Sequence, residues 1–155
     1  MRKARAKPRI ILPDPKYNEE IVTKFVNSLM FDGKKNTAFN IFYNAMEEVE
    51  KKTGQPAMEV FKNALNNVMP TVEVKSRRVG GATFQVPTEV KPGRRQGLGI
   101  RWILKYAAAR NGRSMQEKLA AEIMAAHKGE GAAVKKKEDT HKMAEANKAF
   151  SHFKF

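Results

Sequence analysis

Few side chains in this sequence could carry acid–base, nucleophilic or metal chemistry, and their spacing does not assemble a centre. His127, His141 and His152 are scattered, with no second histidine at metal-ligand spacing. Glu47, Glu48 and Glu50 lie among lysines on a solvated helical face, where nothing would push their pKa values apart for general acid and base roles. There is no cysteine, which excludes disulfides, thiolate metal sites and cysteine nucleophiles together. "FDGKKN" lacks the preceding glycine and the following Ser or Thr of a phosphate-binding loop, and "PGRRQGLG" has no suitable lysine. No Gly-x-Ser-x-Gly elbow occurs. The sequence is that of a non-enzyme with no cofactor.

What the side chains do offer is positive charge. Thirty Lys and Arg against sixteen Asp and Glu leave +14 and a pI near 10.1, a self-repulsive balance unless a polyanion neutralises it. The cations fall into five clusters. They are a basic arm (Arg2, Lys3, Arg5, Lys7, Arg9), a first loop (Lys34, Lys35) and a ribbon (Lys75, Arg77, Arg78). The fourth is Arg94 and Arg95, with Arg101 farther along the chain, and the last is a corner at Arg110 and Arg113. One such cluster is ordinary on a soluble protein; five with this surplus point to nucleic acid. An anionic membrane is the competing polyanion, but no apolar run approaches the ~20 residues needed to span a bilayer. None of the basic groups forms the clean helical stripe of a DNA-reading helix, and cations in loops and tails better suit an irregular folded RNA. A DNA-compacting architectural protein is the alternative.

The elements that must position these groups follow from apolar periodicity. A chain of 155 residues suits one domain, 1–155. After the arm, residues 1–16, Asn18 is a possible cap for a helix carrying Ile21, Val22, Phe25, Val26, Leu29 and Met30. Ala38, Ile41, Phe42, Ala45, Met46 and Val49 mark a second helix ended by Gly54, and Pro56 opens a third with Val60, Phe61, Ala64, Leu65 and Val68 inward. Residues 72–90 read as a β-hairpin with Gly80 and Gly81 at the turn, placing Arg77 opposite Phe84 and Lys75 opposite Val86. Both of its faces mix cations with apolar groups, so its far end is expected to project and be steadied by a negatively charged partner.

Beyond it, a glycine-punctuated basic stretch leads into a fourth helix with Leu98, Trp102, Ile103, Tyr106 and Ala107 on its apolar face. Ser114 and Glu117 have capping-box spacing for a fifth. The last segment, 132–155, has only a thin apolar stripe of Val134, His141 and Ala144 and is expected to lean on partners. The fold class is mainly α, about six helices with one protruding two-stranded hairpin between the third and fourth.

Five strings go beyond a class: "ILPDP", "FVNSLMFDGKKNTA", "PTVEVKSRRVGGATFQVPTEV", "GIRWI" and "KKKEDTHKMAEANKAFSHF". In order and spacing they resemble the bacterial-type family of the seventh protein of the small ribosomal subunit, over nearly the whole chain. The resemblance implies a cytoplasmic structural constituent of that subunit that binds the 3′ major domain of 16S rRNA early and nucleates assembly of the subunit head. It further implies a position near the decoding centre, with the hairpin and last helix close to exit-site tRNA and mRNA, and contacts with small-subunit proteins nine and eleven. No homo-oligomer is expected. Carried onto this chain, the rRNA contacts fall on the arm, Lys34, Lys35, Lys75, Arg77, Arg78, Arg94, Arg95, Arg113, Ser114 and Met115. The tRNA and mRNA side falls on Arg78, Val79, Gly80 and Gly81, and on Lys148, Phe153 and Phe155. The arm "MRKARAKPRI" departs from the proline-started form usual in the family, keeping its charge.

Overall fold

The computed structural model describes residues 6, 7 and 9–153. Six α-helices and one hairpin follow in chain order: α1 (Glu20–Leu29), α2 (Lys35–Thr53), α3 (Ala57–Val68), β1 (Val72–Val79), β2 (Ala82–Glu89), α4 (Pro92–Ala109), α5 (Met115–His127) and α6 (Ala132–Ala146). A 3-10 turn, Lys148–Phe153, closes the described chain.

The first three helices meet at a triad of rings. Phe25, Phe42 and Phe61 are fully buried, and their centroids lie 5.2 to 5.3 Å apart in tilted and edge-to-face arrangements, the geometry that the ring quadrupole favours. Val22, Val26, Met46, Val49, Val60 and Val68 surround them, and Ile100, Ile103, Leu119 and Ile123 of α4 and α5 extend the same core. At Gly99 an added Cβ would lie 2.9 Å from both Leu65 Cδ1 and Met69 Cγ, so the residue's lack of a side chain sets how closely α4 approaches α3. Trp102, expected on the fourth helix's apolar face, packs against the core but is only partly buried; Ile100 and Ile103 occupy the interior.

The first helix is not capped by Asn18, which instead adopts φ +53 in the preceding turn. No side chain caps α1, and Asp14 instead fixes the turn that leads into it. Its carboxylate accepts from the backbone N–H groups of Lys16 (3.1 Å), Tyr17 (2.9 Å) and Glu19 (3.0 Å) and from the Tyr43 hydroxyl (3.0 Å). At the other end of the fold, Asn67 of α3 donates to the carbonyls of Ala126 and His127 at the end of α5, the first of which also accepts from the Gly129 N–H.

The hairpin register is the expected one, Val79 opposite Ala82, Arg77 opposite Phe84 and Lys75 opposite Val86. Gly80 and Gly81 have φ +58 and +87, the pair of positive angles a two-residue turn of this hand needs.

The last helix does not depend wholly on outside support, because it packs on β1, α4, α3 and α5. One polar link in that contact titrates. His141 Nε2 accepts from the Thr71 N–H (3.1 Å), just before β1, which requires an unprotonated Nε2. Burial, then the charge of Lys137, lowers this imidazole's pKa below its ordinary 6.5. A lowered folded-state value means the contribution is complete above about pH 6.5 and is lost as pH falls through the folded value. Lowering pH from about 7.5 to about 5 should therefore raise the opening equilibrium at the Thr71 amide, read by hydrogen exchange after correction for its intrinsic rate. His141→Gln, whose amide oxygen accepts without titrating, should flatten that response; an equal response in both proteins would remove His141 from the explanation.

Candidate nucleic-acid interface

The hairpin presents two unlike faces. Residues 73, 75, 77 and 79 share one face with 82, 84, 86 and 88, because partners sit side by side and strand residues alternate. On it Glu73 and Val86 are buried. The opposite face carries Ser76, Arg78, Thr83 and Gln85, all exposed, with Gln85 Nε2 donating to Ser76 Oγ across the strands (2.9 Å).

Besides the packing of α6 on β1, two sets of side-chain contacts hold this ribbon. At its base Glu73 takes a two-point grip from Arg94, Nε to Oε1 at 2.8 Å and Nη2 to Oε2 at 2.9 Å, with Lys75 Nζ 3.7 Å away. Hydrogen bonding to Arg94 is the main reason the Glu73 carboxyl is held below the usual carboxylate range, against the opposing effect of burial. Arg95 donates to the Val90 carbonyl (2.8 Å) and to Glu89 (3.0 Å). Farther out, the Phe84 ring lies 5.2 Å from Phe150 and 5.1 Å from Phe153, and Arg77 Nη1 donates to the Phe153 carbonyl. The ribbon is therefore steadied at mid-height by the chain's own C-terminal turn, where the sequence suggested an external partner; only the tip around Arg78 to Thr83 stands clear, with Val79 half-buried.

The predicted cations separate accordingly. Arg94 and Arg95 lie inside the first turn of α4, not in a loop before it, and both are paired with acids. Arg94 spends two of five donors on Glu73, and its side chain remains 49% exposed, so it can still meet a phosphate. Arg110 is engaged with the fully buried Glu122 and acts as a joint between α4, α5 and α6, while its side chain stays 33% exposed. Arg113 is exposed beside the α5 cap, where Ser114 Oγ accepts from the Glu117 N–H and Glu117 reaches back to the Arg113 N–H (3.1 Å). The Ser114 hydroxyl is thus occupied locally, and Met115 packs against the core. Arg101 is exposed, its Nε bonded to the Gly97 carbonyl at 3.2 Å.

Lys34 and Lys35 stand exposed at the N-terminal end of α2, whose first turn has no acid. Cations there oppose the helix dipole and add to its positive end, which attracts an anion. Arg9 and Lys35 line one cleft of about 740 Å³ with Ile10, Leu12 and Phe39, bringing the arm beside the first loop. Among the described residues Lys7, Arg9, Lys34, Lys35, Arg78, Arg101, Arg113 and Lys148 have no acidic partner within 4 Å. Arg2, Lys3, Arg5 and Phe155 lie outside the described residues.

Three acids that sequence reasoning passed over organise the interface by being drawn inward. Asp14, Glu73 and Glu122 are all buried, and each fixes a segment that carries cations. Their inward use leaves the surplus of positive groups facing out.

Comparison with known proteins matches residues 1–148 to the family model described as ribosomal protein S7p/S5e. Curated relatives are similar along the full length. Small ribosomal subunit protein uS7 of Cytophaga hutchinsonii is 64% identical over 155 residues, covering 100% of both chains. The protein of that name from Gemmatimonas aurantiaca is 62% identical over 154 residues, 99% of each chain, and that of Flavobacterium psychrophilum 59% over 158 residues, 100% of each.

Proposed function

The chain belongs to the ribosomal protein S7p/S5e family, and on that premise we propose that it is a non-catalytic, rRNA-binding constituent of the small ribosomal subunit, working in the cytoplasm as part of that assembly. Its target is the 3′ major domain of 16S rRNA, where early binding nucleates the subunit head near the decoding centre. The observation that carries this reading is the division of charge. Buried acids pin the arm, the hairpin and the helix ends, while cations without acidic partners are left on a tail, a loop, a ribbon tip and helix ends, where a phosphate backbone can approach.

On this reading Lys7, Arg9, Lys34, Lys35, Lys75, Arg78, Arg101 and Arg113 meet phosphates directly, Arg94 and Arg95 do so with their remaining donors, and Arg77 acts from beside them. The exposed tip, Arg78 to Gly81, and the turn beginning at Lys148 face exit-site tRNA and mRNA. Small-subunit proteins nine and eleven are its protein neighbours.

The test is salt dependence. Log affinity for a folded 3′ major-domain rRNA fragment should fall with log salt at about −0.7 per neutralised phosphate, so about −4 for six contacts. Arg78→Ala should reduce the magnitude of that slope by about 0.7 without changing thermal stability. A flat salt response, or equal displacement by duplex DNA and by the rRNA fragment, would overturn the reading.

A further inference from the structure

We propose that the C-terminal turn, Lys148–Phe153, is a positioning strap for the hairpin: Phe150 and Phe153 hold Phe84 while the Phe153 carbonyl holds Arg77, fixing the angle at which the Ser76–Arg78–Thr83–Gln85 face meets RNA. The RNA part of this inference rests on the function proposed above; the structural part does not.

The reason lies in how little else holds the outer ribbon. A two-stranded hairpin alone is marginal in water. Here Glu73, Val86 and Val90 are its only buried residues, all in the lower half of the ribbon, and the paired arginines Arg94 and Arg95 reach Glu73, Glu89 and Val90, also at the base. Arg77 and Phe84 are register partners one pair farther out on the Glu73 and Val86 face. The turn engages both of them, one on each strand, and Phe153 takes part in both contacts. A cleft of about 720 Å³ opens beside the base, lined by Val72, Pro87, His141 and Lys148 among others. The turn is therefore a second point of attachment, separate from the first. A ribbon held at the base alone can pivot; one held at two levels cannot.

The experiment uses the full chain with Phe150→Ala and Phe153→Ala combined, and separately Phe84→Ala. Hydrogen exchange at amides between Lys75 and Val86 should speed by about tenfold or more, while α1 to α3 keep their protection. Affinity for the folded 3′ major-domain rRNA fragment should drop several-fold with the salt slope unchanged, because no cation has been removed; Arg78→Ala, in contrast, changes the slope. Phe150→Tyr with Phe153→Tyr should restore both readouts. Unchanged hairpin exchange in both alanine proteins overturns the strap. Faster exchange with unchanged RNA affinity overturns its positioning role. Failure of the unaltered protein to bind the fragment overturns the ribosomal reading and the positioning role with it, while the exchange result still decides the strap.

Discussion

Glu122→Ala is expected to lower the unfolding free energy by about 3 kcal/mol, because it removes the buried partner of a one-third-exposed arginine and the acceptor of a buried N–H. Glu122 is fully buried, accepts from Arg110 through Oε2, and accepts from the Ala133 N–H through Oε1 at 3.0 Å. Its removal leaves the Arg110 guanidinium with solvent on its exposed side only and orphans a buried N–H in the first turn of α6, where a carboxylate also complements the helix dipole. Glu122→Gln separates these losses, since it keeps an acceptor for Ala133 and gives up the charge, and should fall between the alanine variant and the native protein. Urea unfolding followed by helical circular dichroism gives the answer as a fall in midpoint at constant slope. A loss below about 1 kcal/mol would show that water replaces the pair without difficulty.

Asp14→Ala is the second large effect, about 3 kcal/mol, because it leaves three backbone N–H groups and the Tyr43 hydroxyl without their acceptor. Burial pushes the Asp14 carboxyl up, but the N–H groups of Glu19 and Tyr17, the Tyr43 hydroxyl and the Lys16 N–H together hold it below its ordinary 3.8. With the folded value depressed, this stabilisation is whole above about pH 3.8 and disappears as pH falls through the folded value. The same bond has a spectroscopic readout. Burial, then the hydrogen bond to Asp14, pushes the Tyr43 phenol up to about 12. In Asp14→Asn that value should move back toward 10, seen as earlier phenolate absorbance on raising pH. An unmoved Tyr43 titration would mean that the bond contributes little. The variant should also loosen the arm that leads to Arg9, and so weaken RNA binding through position, not charge.

Much of the fold was legible because apolar spacing and turn residues agree. Phe25, Phe42 and Phe61 each fall on a helical stripe, and the double glycine set the hairpin register to the residue. The interface was legible as a sum of charge but not as an arrangement. Arg110 reads as a loop cation until its partner is known, and that partner could have been found: Glu122 lies with Leu119, Ile123 and Ala126 on one helical stripe, so an acid there must be buried. Glu73, the one acid between Val72 and Val74, gives less warning, since its alternation fits either face. The grip of Phe153 on Arg77 spans 76 residues and carries no local signature. Asp14, between two prolines, looks like an ordinary turn residue; only the fold shows that it reaches Tyr43.

The ring triad has a consequence for the order in which a newly made chain matures. Its three members come from successive helices, so their closure entropy is low and the N-terminal half can consolidate early. Arg77 and Phe84 must wait for Phe150 and Phe153, far later in the chain, to be synthesised. A nascent chain that has not yet reached Phe153 thus has a settled nucleus and an unfinished grasp of its ribbon.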